Sequence, residues 1–280
     1  MTLLSPAKIN LSLRILGKRP DGFHEIETRL VRLAFGDTVE IEHLGFGTSV
    51  NFTCSDPTVP SDESNLALKA LRAFESRVGT QSSWRIHLEK RIPHGAGLGG
   101  GSSNAATILR AANELSGSPL ALPQLLELAA QIGSDVPCFL LDSPAADGTG
   151  RGEIVQPADF PHQLHLVLIK PPFPIPTPWA YKNWADSREV SGVLYAPQLC
   201  EWGTMVNDLE RPVFQKYLLL PALKNWLLEH GETRAALMSG SGSTMFAITD
   251  TAAQAAELAE KARAWCGETS WTLATQTGKA

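Results

Sequence analysis

The feature that most constrains this chain of 280 residues is a segment with five glycines in seven positions, Gly95 to Gly101. Before it, Trp84 to Leu88 alternates apolar and polar residues like a half-buried strand, and the apolar spacing after it is helical. Glycines and a helix start both expose backbone N–H groups, which together make a concave anion site. So many glycines cost conformational entropy unless a ligand approaches the backbone closely. We therefore predict a phosphate-binding loop; the alternative is a helix cap after a flexible loop.

This segment fits the sequence patterns of the common nucleotide-binding loops poorly. Gly95, Gly97 and Gly100 formally match GxGxxG, but the next acidic residue is Glu114, short of the roughly 20-residue spacing to a ribose-binding acid. A Walker A loop needs GK[ST] after its last glycine, and Ser102 follows directly here. Neither the HRD nor the DFG tripeptide of protein kinases is present in the sequence. A different kind of nucleotide loop is required.

Composition argues against several classes of protein. The formal net charge is -5, with 24 basic and 29 acidic residues, and no basic block recurs, so we expect no nucleic-acid partner. No apolar run approaches the roughly 18 to 20 residues of a membrane helix, so we expect no membrane partner. The four cysteines are far apart and form no CxxC pair, and the N-terminus has no signal-peptide pattern, which indicates a cytoplasmic protein.

The pattern along the chain predicts an α+β fold. The expected strands are Pro6–Arg14, 39–42, 50–52, 84–88, 164–169, 235–238, 245–249 and 269–275, the half-buried ones near the N-terminus paired antiparallel. The expected helices are 62–77, capped by Ser61 or Asp62, the helix after the glycine loop, 123–132, 221–230 and 251–266. A turn or loop is predicted at 17–24, the composition shifts after 147–152, and the length allows one broad domain or two compact lobes.

Three segments in order carry a family resemblance: PAKINL near the N-terminus, PHGAGLGGGSSNAA in the middle and LMSGSGSTMF near the end. They resemble the three motifs of the GHMP kinases. The resemblance implies a two-lobe fold, with an N-terminal ATP-binding, catalytic domain over residues 1–155 and a C-terminal, substrate-side domain over 156–280. DGFHEIET, GSDVPCFL, GRGE and IPTPWAY further resemble the members that phosphorylate the 2-hydroxyl of a cytidylyl methylerythritol compound on the route to isoprenoid precursors.

The resemblance also implies roles for individual residues. Asp135 matches the catalytic aspartate, which accepts the hydroxyl proton, and Lys8 matches its paired lysine. On the nucleotide side it implies Asn65, Pro93, His94, Gly95, Ala96, Gly97, Leu98, Gly99, Gly100, Gly101, Ser102 and Ser103. On the substrate side it implies Asn10 beside Lys8, His24 at the cytosine edge, Phe23 and Tyr181 around the cytosine ring, and Thr177. The implied cofactors are ATP and Mg²⁺, with no dedicated metal ligand evident in the sequence.

Other interpretations remain open from the sequence. Another GHMP small-molecule kinase would share the ATP loop but would have no evident need for aromatic rings around a cytosine. A dinucleotide-dependent oxidoreductase is permitted by GxGxxG and disfavoured by the missing ribose acid. A catalytically inactive nucleotide-binding module is disfavoured by the presence of both Lys8 and Asp135. The protein is expected to act on a small molecule, as a monomer or a homodimer.

Overall fold

A computed structural model describes residues 1–278, which contain twelve strands and seven α-helices. The strands are β1 (Thr2–Lys18), β2 (His24–Phe46), β3 (Val50–Cys54), β4 (Ser82–Glu89), β5 (Ala145–Thr149), β6 (Ile154–Ala158), β7 (His165–Lys170), β8 (Gln198–Cys200), β9 (Gly203–Asn207), β10 (Thr233–Met238), β11 (Met245–Thr249) and β12 (Trp271–Gln276). The helices are α1 (Leu66–Val78), α2 (Gly100–Leu115), α3 (Leu122–Ile132), α4 (Thr177–Lys182), α5 (Glu210–Lys216), α6 (Leu219–Glu229) and α7 (Ala252–Cys266), with a short 3-10 turn at Pro137–Phe139.

The first sheet has eight strands and is built on the long antiparallel pair β1 and β2. Its order is β3-β4-β2-β1-β9-β8, and β5 and β6 form a hairpin that pairs with β2. Lys8 lies opposite Arg32 in the β1–β2 register, with register shifts on both sides of Lys8. The expected antiparallel pairing is confirmed for β1–β2 and β2–β4 and is wrong for β3–β4, which is parallel. Helix α1 lies between these two strands in the chain, and such a crossover allows parallel pairing.

The second sheet is antiparallel, in the order β10-β11-β7-β12. Three apolar clusters hold the molecule together. One lies between the first sheet and helices α1 to α3, one between the two sheets, and one between the second sheet and helices α5 to α7. Because the middle cluster buries β1 and β2 against β7, β10 and β11, the two sheets pack as neighbouring layers. This packing brings the glycine-rich loops of the two sheets together.

Several predicted element boundaries need correction. Helix α1 begins at Leu66, and its cap is Asn65, whose Oδ1 accepts a hydrogen bond from the Ala67 N–H group, rather than Ser61 or Asp62. Several short elements were not predicted, because they leave little room for a periodic pattern: β5, β6, β8, β9, α4 and α5. Among residues 1–278, no helix has the length and apolarity needed to cross a membrane.

The predicted division into residues 1–155 and 156–280 stays a prediction. Residue 155 lies inside β6, which pairs with β5. Strand β9, from the second half of the chain, pairs in parallel with β1 at Ser12 and Leu13. The first sheet therefore draws strands from both halves of the sequence.

Candidate active site

The glycine loop joins β4 to α2 and has the backbone conformation that glycine permits. Gly95, Gly97 and Gly99 have φ values of +63°, +76° and +72°, in the left-handed region. Helix α2 begins at Gly100, so its first N–H groups open toward the loop. A Cβ atom on Gly97 would lie 2.3 Å from the carbonyl oxygen of Ser239, so this position cannot carry a side chain without a shift of the backbone.

The third glycine-rich motif, between β10 and β11, packs against the first loop. The Ser239 hydroxyl donates a hydrogen bond to the Gly97 carbonyl at 3.0 Å, and the Thr244 N–H group donates to the Ala96 carbonyl at 3.2 Å. The Ser241 hydroxyl lies 2.7 Å from the Thr177 hydroxyl. The connection between β10 and β11 therefore packs directly against the phosphate loop and the start of α4.

Lys8 lies beneath the phosphate loop, and its buried ammonium group has three partners. It donates to the Asn10 Oδ1 atom at 2.7 Å and to the Gly97 carbonyl at 3.1 Å, and it lies 3.3 Å from the Asp135 Oδ2 atom. The Asn10 amide donates in turn to the Thr28 hydroxyl at 2.8 Å. Lys8 and Asn10 share one face of β1, as the two-residue spacing predicts. The ammonium group thus joins the phosphate loop to the carboxylate that the resemblance marks as the base.

Asp135 lies in the turn between α3 and the 3-10 turn, with its side chain 37% exposed. The Cys138 thiol donates a hydrogen bond to the Asp135 carbonyl at 3.0 Å, which holds the turn from below. Burial, and to a smaller extent the negative charge of Asp135, raises the pKa of the Cys138 thiol far above its usual range. This thiol therefore stays protonated and serves as a donor, and it is not a nucleophile.

The larger of two cavities at the loop has a volume of about 960 Å³ and holds both Lys8 and Asp135. We call it the acceptor cavity. The predicted substrate-side residues all line it: Asn10, Phe23, His24, Thr177 and Tyr181. The rings of His24 and Tyr181 lie 5.4 Å apart at 31°. Burial, helped by the positive charge of Lys18, lowers the pKa of His24, so its imidazole is neutral at pH 7 and can both donate and accept.

The smaller cavity has a volume of about 410 Å³ and lies on the other side of the phosphate loop. We call it the nucleotide cavity. It is lined by most of the predicted nucleotide-side residues, namely Asn65, Pro93, His94, Gly95, Ala96, Gly97, Leu98, Gly99, Gly100, Gly101 and Ser102. Gly97, Gly99, Ser102 and Thr177 line both cavities. Two ligands bound in the two cavities would therefore meet at the loop, beside Lys8 and Asp135.

Two predicted nucleotide-side residues have their polar groups engaged elsewhere. The Ser103 side chain is fully buried, and its hydroxyl accepts a hydrogen bond from the Ser5 hydroxyl at 2.8 Å, so it points under the loop instead of into a cavity. The Ser103 hydroxyl therefore lines neither cavity, and the nucleotide-side role of Ser103 stays a prediction. Asn65 uses its amide to donate to the Pro60 carbonyl and its oxygen to cap α1, which accounts for it as a helix cap.

The structure also brings residues to the acceptor cavity that the sequence analysis did not single out. They are Lys18, Arg151, Lys182, Trp184 and Ser241, among others. The Arg151 guanidinium lies 4.7 Å from the centroid of the Phe23 ring. The GRGE motif was the available signal for Arg151, whereas Trp184 follows a proline-rich segment whose path the sequence does not reveal. Within residues 1–278, no group of three or more His, Cys, Asp or Glu side chains is arranged to hold a metal ion.

Comparisons with known proteins place the chain in a family. The model of the GHMP kinases N terminal domain matches residues 65–143, and that of the GHMP kinases C terminal domain matches residues 196–268. The 4-diphosphocytidyl-2-C-methyl-D-erythritol kinase of Methylacidiphilum infernorum is 49% identical over 245 residues, covering 87% of this chain and 84% of the relative. This chain belongs to that kinase family. It is therefore a GHMP small-molecule kinase and an ATP-using enzyme, and the oxidoreductase interpretation is wrong.

Other relatives and solved structures agree. The chloroplastic 4-diphosphocytidyl-2-C-methyl-D-erythritol kinase of Mentha piperita is 40% identical over 258 residues, covering 89% of this chain and 64% of the relative. A crystal structure of 4-(cytidine 5'-diphospho)-2C-methyl-D-erythritol kinase has a TM-score of 0.81 at 33% identity and covers 99% of this chain and 100% of its own. The homoserine kinase of Cytophaga hutchinsonii, at 16% identity, covers 98% of this chain and 95% of its own with a TM-score of 0.67, a similarity of fold. The predicted α+β, two-lobe GHMP fold is confirmed.

Proposed function

We propose that this kinase transfers the γ-phosphoryl group of ATP to the 2-hydroxyl of 4-diphosphocytidyl-2-C-methyl-D-erythritol and yields the 2-phosphate and ADP. The observation that carries the proposal is the pair Lys8 and Asp135, 3.3 Å apart at the junction of the acceptor and nucleotide cavities. Family membership supports the same acceptor, since the relatives carry its name.

Asp135 is proposed as the catalytic base. Its carboxylate faces the acceptor cavity and is partly exposed, so an acceptor hydroxyl can approach it. It accepts the proton that leaves the hydroxyl as the oxygen bonds to phosphorus. Lys8 orients the carboxylate, because its Nζ atom lies 3.3 Å from the Asp135 Oδ2 atom. With its other N–H groups held by Asn10 and Gly97, Lys8 cannot swing away from Asp135 without losing two hydrogen bonds.

The acceptor cavity has the chemistry that a cytidine diphosphate derivative requires. Phe23 and Tyr181 offer ring faces for stacking on the base, and the neutral His24 offers a donor and an acceptor for its edge. Lys18, Arg151 and Lys182 line the same cavity, and we propose that their positive charge attracts the diphosphate. Thr177, which lines both cavities, is proposed to contact the acceptor near the transferred group.

The nucleotide cavity is proposed to hold ATP, with its phosphates at the glycine loop and at the Ser102 hydroxyl. The support is the left-handed backbone at Gly95, Gly97 and Gly99, a conformation that glycine permits and that lets the backbone of the loop line the cavity. Mg²⁺ neutralises the β- and γ-phosphates in phosphoryl transfer. We propose that phosphate oxygens and water supply most of its ligands, because residues 1–278 hold no cluster of metal-ligating side chains. Asn65, at the rim, is proposed to line the adenosine side through its backbone and apolar atoms.

A cytoplasmic location is also proposed. All four cysteines are free thiols, as expected in a reducing compartment. Relatives from plants carry chloroplastic names, so fractionation of the source cells is the direct test.

The experiment that tests the proposed function is ADP release from Mg-ATP by the purified protein. The acceptors offered are the cytidylyl methylerythritol compound, mevalonate, homoserine and galactose, each with the wild type and Asp135→Asn. Turnover of the cytidylyl compound alone, lost in the variant, is the expected result. Preferential turnover of another acceptor would keep the ATP site and contradict the proposed acceptor.

A further inference from the structure

A fully buried carboxylate, Asp37, lies directly beneath the phosphate loop. It belongs to β2 and lines neither the acceptor cavity nor the nucleotide cavity. Its Oδ1 atom accepts hydrogen bonds from the backbone N–H groups of Arg91 and Ile92, at 2.7 and 2.8 Å. These two residues lead directly into Pro93, where the loop begins. Asp37 therefore holds the chain at the entrance of the loop.

The other oxygen of Asp37 is bound from the far end of the loop. Its Oδ2 atom accepts a hydrogen bond from the Asn104 side-chain amide at 3.0 Å, and Asn104 lies in the first turns of α2. The same amide donates to the Ser5 hydroxyl at 2.9 Å, which in turn donates to Ser103. One carboxylate is thus hydrogen-bonded to the chain before the loop and to the chain after it.

Lys90 compensates the charge of Asp37. Its ammonium group donates to the Asp37 Oδ2 atom and, at 2.9 Å, to the Asn104 Oδ1 atom, and its side chain is 6% exposed. Lys90 also lines the nucleotide cavity, and its Nζ atom would lie 3.4 Å from a Cβ atom on Gly100. A buried carboxylate without such a partner would be strongly destabilising. The charges of Asp37 and Lys90 therefore compensate each other inside the protein, and the pair lies against the phosphate loop.

We propose that Asp37 is a positioning residue for nucleotide binding, which sets the separation between the two ends of the phosphate loop. Backbone N–H groups bind phosphate only when they converge on it, and their direction depends on where the loop enters and where α2 begins. Asp37 fixes both points through Arg91, Ile92 and Asn104. The proposal rests on the proposed nucleotide role of the loop. It predicts a much larger effect on the nucleotide than on the acceptor, because Lys90, Ile92 and Asn104, the partners of Asp37, line the nucleotide cavity and not the acceptor cavity.

The test uses the full chain with Asp37→Asn. The asparagine side chain has one acceptor oxygen where the carboxylate has two. Its NH₂ group would therefore face either the N–H groups of Arg91 and Ile92 or the Asn104 amide, which are all donors. We expect the affinity for ADP, measured by calorimetry, to fall about 10- to 100-fold, the range for losing a hydrogen bond to a charged group. The affinity for the cytidylyl compound should stay within about twofold. Asp250→Asn is the matched control, because Asp250 pairs with Arg234 on the surface and should leave both affinities unchanged.

Unchanged ADP affinity in folded Asp37→Asn, or equal losses for ADP and the cytidylyl compound, would overturn the proposal. If Asp37→Asn does not fold, Asn104→Ala decides, since it removes the link to α2 and leaves the pair of Asp37 and Lys90 intact. Asn104→Ala should also weaken ADP binding selectively, and unchanged ADP affinity in this variant would overturn the proposal. ADP binding needs no acceptor. If the proposed acceptor is wrong, the turnover assay shows it, and the ADP affinities of the variants still decide whether Asp37 positions the loop.

Discussion

At the scale of single residues, the carboxylate of Asp135, the proposed base, is held by few groups. Asp135 is on a turn, and its side chain contacts the buried ammonium group of Lys8. Lys8 is in turn held by Asn10 and Gly97. Removing the carboxylate charge removes the proposed base, while the phosphate loop keeps its own hydrogen bonds to the third motif.

Asp135→Asn should therefore lower kcat by about 100- to 10,000-fold, the usual contribution of a general base. ADP affinity should change little, because the loop glycines are untouched. Steady-state kinetics with calorimetry on the same preparation measures both quantities. Asp159→Asn, an exposed carboxylate outside both cavities, should keep wild-type kcat. Near-normal turnover in Asp135→Asn would rule out its assignment as base.

Phe23 is half-exposed at the mouth of the acceptor cavity, so its ring is available to stack on a base. Phe23→Ala should raise KM for the cytidylyl compound about 5- to 100-fold, because base stacking contributes about 1–3 kcal/mol. The value of kcat should change much less. Phe46→Ala removes a ring that is 91% exposed and outside this cavity, and it should leave KM unchanged. Equal KM values for both variants would exclude Phe23 from the base site.

His24 provides a pH-dependent contact. Its pKa is lowered from 6.5, first by burial and second by Lys18, so the folded chain favours neutral imidazole. Neutral His24 contributes fully to the free energy of unfolding above its unfolded-state pKa of 6.5. This contribution is lost as the pH falls toward the lower pKa of His24 in the folded chain. KM for the cytidylyl compound should rise over the same range, below pH 6.5. Lys18→Gln should raise the pKa of His24 in an NMR titration, whereas Lys69→Gln, on the surface of α1, should not. An unshifted titration in Lys18→Gln would contradict the role given to Lys18.

At the scale of elements, the turn that carries Asp135 is held by strand β2. Arg32 donates to the carbonyls of Cys138 and Leu141, at 2.7 and 2.5 Å, and lies opposite Lys8 in the sheet. One arginine thus connects the strand beside Lys8 to the turn beside Asp135. We expect the distance between the side chains of Lys8 and Asp135 to depend on this connection.

Arg32→Met should leave two buried carbonyls without a donor and lower the free energy of unfolding by about 2–4 kcal/mol. Urea denaturation measures this change, and kcat should fall as the turn loosens. Arg85→Met breaks an ion pair with Glu42 on the surface, and its effect should be within about 1 kcal/mol. Equal stability of the two variants would show that Arg32 does not hold the turn.

At the scale of the whole molecule, the site exists only where the two glycine-rich loops meet. Gly97 packs against Ser239 and Gly242 from the second half of the chain, and a Cβ atom there would lie 2.3 and 2.9 Å from their carbonyl oxygens. The three apolar clusters hold the two sheets and their loops in this arrangement. A side chain at Gly97 would therefore separate two parts of the fold as well as distort a loop.

Gly97→Ala should lower both the free energy of unfolding and ADP affinity. Gly117→Ala is the matched control, because Gly117 also has a left-handed φ, of +82°, but has open space where a Cβ would be. The control should lose about 1–2 kcal/mol from backbone strain alone and keep its ADP affinity. Denaturation curves of both variants should show a larger loss in the free energy of unfolding for Gly97→Ala than for Gly117→Ala. Equal losses would mean that the contact with the third motif is unimportant.

The local chemistry of the chain could be predicted from its residues. The glycine density at Gly95 to Gly101 indicated a phosphate loop because few other structures need that backbone freedom. Alternating and helical patterns predicted the long strands and helices, since periodicity reports directly which face is buried. The motifs PAKINL and GSDVP marked Lys8 and Asp135 only through the family resemblance, because a lysine in a strand or an aspartate in a turn has no chemistry of its own until it has a partner.

Tertiary structure alone decided which groups meet. Ser103 and Ser102 are neighbours in the sequence, yet the Ser103 hydroxyl is buried against Ser5 whereas Ser102 lines both cavities, because helix α2 turns about 100° per residue. The parallel pairing of β3 with β4 and that of β9 with β1 depend on crossovers that no local pattern encodes. Asp37 lies outside every strand that the sequence predicts, and it becomes the link between both ends of the phosphate loop only when β2 packs beneath α2. Such contacts join residues far apart in the chain, so the fold must form before they exist.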